Sequence, residues 1–87
     1  MVKIFMILTK HAKNKLRTVG ARKFRITKRK LEMVINNPVS YLEQAESVIV
    51  AVGSLDLEHS LCVVYKTEGD IIKIITFFPA KKGRYET

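Results

Sequence analysis

Ile71-Ile72-Lys73-Ile74-Ile75-Thr76-Phe77-Phe78-Pro79-Ala80-Lys81-Lys82-Gly83-Arg84-Tyr85 is the stretch whose reading decides the fold of this chain. Its first eight residues are β-branched or aromatic apart from Lys73, a composition that favours a pleated, buried strand. Pro79 is expected to stop the ladder there, since proline has no N–H to donate. Strict alternation predicts Ile72, Ile74, Thr76 and Phe78 on one face and Ile71, Lys73, Ile75 and Phe77 on the other. One face should pack on helices. The other stays open between a homodimer contact, a shallow ligand surface and burial by a curling sheet. Beyond the proline, Lys81, Lys82, Arg84 and Tyr85 form a short tail of phosphate-seeking side chains.

Working outward, Glu68-Gly69-Asp70 reads as a hairpin turn with glycine supplying the positive φ. The strand before it is Leu61-Cys62-Val63-Val64-Tyr65-Lys66. A polar connection from Ser54 to Ser60 separates this from the apolar run Val48-Ile49-Val50-Ala51-Val52. Val39 to Glu43 is a further short strand. The N-terminal part is helical. Thr9 is expected to cap a helix from Lys10 to about Val19, with Ala12, Leu16 and Val19 on its buried stripe and Gly20 as its stop. Thr27 is expected to cap a second, Lys28 to Asn36, which buries Leu31, Val34 and Ile35 and ends at Asn37-Pro38. Val2 to Leu8 reads as an extra N-terminal strand. Helices followed by an antiparallel meander give an α+β class: two helices on a sheet of about four antiparallel strands, in one domain spanning residues 1–87.

The 87 residues carry a net charge of +8, with 47% hydrophobic and 28% charged residues, values of a globular chain. Residues 1–37 hold eleven Lys and Arg against Glu32 alone, and residues 38–80 hold two lysines against six acids. Such asymmetry points to one basic face and an anionic partner, nucleic acid first. No apolar run approaches a membrane span or a secretory signal, and the single Cys62 sits in an apolar run as a buried thiol. A cytoplasmic protein is expected.

No phosphate-binding loop, dinucleotide glycine fingerprint or nucleophile elbow is present. His59 and Cys62 stand three apart, too few ligands for a closed zinc site, so no metal or cofactor is expected. What remains is a phosphate-binding and proton-transfer inventory. Lys82, Arg84 and Tyr85 supply it at one end, and His11 at the other. Lys10, Lys13, Lys15, Arg17, Arg22, Lys23, Arg25 and Lys81 are the nucleic-acid-binding candidates. Metal-free RNA cleavage needs a base for the ribose 2′-OH, a cation for the phosphorane and an acid for the leaving 5′ oxygen. Binding without catalysis draws on the same residues.

His11-Ala12, Lys15, then Ile26-Thr27 opening a helix that closes in Asn37-Pro38 resemble the opening of the BrnT-like small domains of the RelE/ParE toxin superfamily. The strands Leu61–Tyr65 and Ile72–Thr76, followed by Lys82-Gly83-Arg84-Tyr85, are similar to its second half. The resemblance implies a RelE-like fold, a metal-independent endoribonuclease acting on mRNA, often on the ribosome, and an acidic antitoxin that covers the basic surface. By that resemblance His11, Arg84 and Tyr85 match motif positions, and Lys82 matches more loosely. Lysine stands at position 15 where members often carry arginine, and the Arg17–Arg25 connection is longer and more basic than usual. ParE-type relatives act on gyrase. A protein-interaction role is the further alternative.

Overall fold

A computed structural model describes residues 5–44 and 46–82, so Arg84 and Tyr85 lie outside the described residues. The order is β1 (Phe5–Leu8), α1 (Lys10–Lys15), α2 (Val19–Lys23), α3 (Lys28–Asn36), β2 (Ser40–Glu43), β3 (Val48–Ser54), β4 (His59–Glu68) and β5 (Ile71–Lys81). The fold is α+β, with the strands in the order β1-β5-β4-β3-β2. β2 to β5 form an antiparallel meander, and β1 adds to β5 in parallel, so the sheet is mixed.

The β4–β5 hairpin is the spine. Gly69 takes a φ of +60° in its two-residue loop, the glycine position of a tight hairpin turn. The register runs evenly from Glu68↔Ile71 to Tyr65↔Ile74, then jumps to Val64↔Thr76, leaving Ile75 as an extra residue. This bulge corrects the expected alternation, because an extra residue resets which side chains face which side. Ile72, Ile74 and Phe77 all enter the helix-side core, whereas Phe78 and Ala80 belong to the opposite face.

β5 does not stop at Pro79, which pairs with Leu61 while the strand continues to Lys81. Lys82 donates its N–H to Glu58 on the β4 side. Alternation then turns the nitrogen of Pro79 to the other edge, where among the described residues β1 has already ended, so the missing donor interrupts no ladder.

The helical region holds three helices rather than two. The Thr18 hydroxyl donates to the Lys15 carbonyl at 2.6 Å and accepts from the Ala21 amide at 3.3 Å. It therefore closes one helix and opens the next, and Gly20 lies inside α2 instead of ending α1. Val19, expected in the core stripe, is 82% exposed, and Ala21 is buried in its place. Thr9 and Thr27 cap α1 and α3 as their positions predict. Leu31, Val34 and Ile35 are the buried stripe of α3.

The main core lies between the helices and the sheet: Ala12, Ala21, Ile26 and the α3 stripe meet Ala51, Leu61, Val63, Ile72, Ile74 and Phe77. Val50, Val52, Cys62 and Ala80 form a smaller buried cluster on the second face, with Val64 and Phe78 against it. Among the described residues no helix is long and apolar enough to cross a membrane.

α3 packs tightly on the sheet at Gly53, where an added Cβ would stand 2.9 Å from Cγ2 of Val34. A methyl group there must displace a β-branched side chain that has little freedom to yield. Gly53→Ala is expected to destabilise the fold by about 1–3 kcal/mol, read as a lower denaturant midpoint, and Val34→Ala in the same chain should recover part of that loss.

Candidate nucleic-acid interface

The helical layer carries the charge. Between Lys10 and Asn36 the chain has ten Lys and Arg and one acid, Glu32. Lys10, Lys13, Arg17, Arg22, Lys23, Arg25, Lys28 and Arg29 are exposed, and Lys15 and Lys30 are half-buried. The short helices bury only alanines and one face of α3 against the sheet, so the remaining positions are free to carry lysine and arginine outward.

His11 and Lys15, one turn apart on α1, meet on a single hydroxyl. His11 Nε2 and Lys15 Nζ each lie 3.2 Å from Thr76 Oγ1. The Lys15 ammonium also stands 5.4 Å from the centroid of the buried Phe77 ring, in a cation–π position. Thr76 reaches them because it follows the bulge in β5. The exposed imidazole and the half-buried ammonium thus share one small surface beside Thr76.

Lys81 and Lys82 lie at the far end of β5 and just past it. Lys82 lies six positions beyond Thr76, roughly 20 Å along a strand. The structure therefore does not gather Lys82 with His11. It gathers Lys81 with His59, its cross-strand partner, and Lys82 with Glu58, whose carbonyl accepts the Lys82 N–H at 2.9 Å.

That end of the sheet holds a second histidine site, at the His59 that the sequence offers only as half of a zinc pair with Cys62. Asp56 Oδ1 accepts from the amides of Glu58 and His59 at 2.8 and 2.7 Å and lies 2.9 Å from His59 Nδ1. The backbone bond from Glu58 leads in holding the Asp56 carboxyl below its ordinary range, with His59 adding to it. A carboxylate on Nδ1 selects the tautomer that leaves Nε2 as the proton acceptor. The Phe24 ring meets the His59 ring edge-on at 4.9 Å. The legible signal was the Asp56-x-x-His59 spacing, because an aspartate accepts amides two and three residues on in a turn that feeds a strand.

Beside this pair lies an open cavity of about 340 Å³, lined by Lys23, Phe24, Arg25, Lys30, Leu55 and Asp56. Arg25 is there through an unusual backbone. After α2 the Arg25 amide bonds to the Arg22 carbonyl and the Ile26 amide to the Ala21 carbonyl, the paired bonds of a Schellman ending. The residue at the turning point of that motif is commonly glycine. Here it is Arg25, at φ +56°. Among the described residues no three of His, Cys, Asp and Glu gather as metal ligands.

Searches of family models, curated proteins and solved structures find no match to this chain.

Two outcomes test this local chemistry. Arg25→Gly should stabilise the protein by on the order of 0.5–1 kcal/mol, the relief of the left-handed strain less the entropy glycine adds to the unfolded chain. It would be read as a higher denaturant midpoint at unchanged slope. Because the Asp56 pKa is lowered in the fold, its stabilisation is present above the ordinary value of 3.8 and is lost as pH falls from there through the lowered value. Asp56→Ala should therefore melt below the parent at neutral pH, and the gap should narrow in acid well below 3.8.

Proposed function

We propose that this protein is an RNA-binding, toxin-like domain that cleaves RNA without a metal. The observation that carries the reading is the helical layer, with ten cations and one acid between Lys10 and Asn36. A polyanion that lies across α1, α2 and the start of α3 meets lysines and arginines throughout, and releases its counterions on binding. An acidic partner protein of the antitoxin kind would use the same complementarity.

In this reading cleavage takes place at His11. The imidazole removes the proton from a ribose 2′-OH, whose oxygen attacks the adjacent phosphorus. Lys15 stands against the non-bridging oxygens as charge builds on the phosphorane. The bond from phosphorus to the 5′ oxygen breaks, that oxygen takes a proton from water, and a 2′,3′-cyclic phosphate remains. Thr76, which touches both side chains, positions them. Arg84 and Tyr85, assigned roles by the family resemblance, are retained as variants to test.

A second reading, binding without cleavage, is favoured by one contact. Lys15 already has a structural role, with its ammonium on Thr76 and over the Phe77 ring. The two readings separate in one assay: RNA incubated with the protein in EDTA, alongside His11→Ala, Lys15→Gln and Arg84→Ala. The ribonuclease reading expects cyclic-phosphate ends from the parent and a loss of about 10²-fold or more in His11→Ala. Cleavage undiminished in His11→Ala overturns that assignment. Intact RNA, with binding whose salt slope falls by about one unit for each phosphate-contacting lysine removed, establishes the second reading.

A further inference from the structure

We propose that the cavity between the α2–α3 connection and the β3–β4 turn is a binding site for a single ribonucleotide. Its wall carries two kinds of chemistry. Lys23, Arg25 and Lys30 supply three cations, Phe24 and Leu55 supply apolar surface, and Asp56 supplies a carboxylate. The three cations suit a phosphate, with the Arg25 guanidinium able to hold two of its oxygens at once. Asp56 would repel a bare anion, so inorganic phosphate alone is a poor fit. A carboxylate instead asks for a hydrogen-bond donor. Its Oδ1 is taken by two amides and the His59 ring, whereas Oδ2, among the described residues, meets the His59 ring at 3.1 Å and keeps capacity to accept. A ligand that combines a phosphate, a hydroxyl and a flat ring offers a partner to each of these six residues. A ribonucleotide has that composition, and about 340 Å³ lies within the ligand-cavity range of about 300–1,000 Å³.

The strained backbone is an independent pointer to the same place. A glycine at position 25 would end α2 without the left-handed penalty, yet an arginine stands there and lines the cavity. Strain at a residue that faces an open cationic cavity is accounted for by what its side chain does there. His59 holds Asp56 from behind and meets Phe24 edge-on, so it acts here as a positioning residue.

The site deepens the RNA reading when the nucleotide belongs to a chain, and stands apart from it when the nucleotide is free. Titration of the full chain by amide NMR with uridine 3′-monophosphate, its 2′-deoxy analogue, inorganic phosphate and a short oligouridylate covers these cases. The expected result is a saturable shift of the Phe24, Arg25 and Leu55 amides by the ribonucleotide, with weaker binding of the deoxy analogue and of phosphate. Arg25→Gly and Lys30→Gln should each weaken ribonucleotide binding about tenfold. Arg25→Gly should do so while melting higher than the parent, which a folding defect could not produce. Lys66→Gln, on β4 and outside both the helical layer and the cavity, should bind within about twofold of the parent, a change too small to reflect a lost charged contact. Asp56→Asn should narrow the gap between ribo- and deoxyribonucleotide. Absence of saturable shifts, shifts confined to α1, or unchanged binding by Arg25→Gly would each overturn the site. If the oligomer binds but the mononucleotide does not, the cavity proposal falls and the RNA reading survives. If the mononucleotide binds but the oligomer does not, the RNA reading falls and the site is one for a free nucleotide.

Discussion

Thr9 holds the molecule's two halves together. Its amide donates to the Ile74 carbonyl, its hydroxyl donates to the Ile75 carbonyl at 3.0 Å, and the same oxygen accepts the Ala12 amide that starts α1. One residue thereby ends the parallel strand β1, caps the first helix and anchors that helix to the edge of β5. The Ile75 carbonyl is available because the bulge takes this residue out of the β4 register. The position of His11 follows from these bonds. Thr9 sets where α1 begins, α1 sets the His11–Lys15 turn, and the bulge sets where Thr76 meets it.

The parts of this fold that local chemistry dictates could be read from the chain. The β-branched run Ile71–Phe78, the Gly69 turn, the Thr9 and Thr27 caps and the α3 stripe each depend on residues within a few positions of one another. The parts that long-range pairing dictates could not. The bulge at Ile75 has no glycine to announce it, and it reversed the facing of Phe77 and Phe78. Pro79 looked like a terminator because the edge it faces depends on where β1 stops. Gly20 is the more familiar helix stop, yet Thr18, which bonds backward and forward, makes the break. The Glu46-Ser47 turn is silent for a similar reason, since both residues adopt positive φ without glycine or asparagine.

The candidate sites divide along the same line. The basic layer was legible as a count of lysines and arginines, because composition needs no geometry. The partnership expected between His11 and Lys82 was not a local matter. β5 is extended, so Thr76 at its middle and Lys82 just past its end are far apart, and each joins a different histidine site. The His59–Asp56 pair, by contrast, is local, three residues apart, and was in principle readable.

Charge and strain bear on the same segment. Arg22, Lys23, Arg25, Lys28, Arg29 and Lys30 follow one another with no intervening acid, and like charges so close together work against the compact state. The α2–α3 connection adds a left-handed arginine to that cost. Neither feature is needed for folding, since the Schellman bonds and the burial of Ala21 and Ile26 would serve as well around a glycine and neutral neighbours. Marginal stability leaves little room for such costs. An anion placed here would relieve the repulsion between these charges but not the left-handed strain, which remains the cost of ending α2 on an arginine whose side chain lines the cavity.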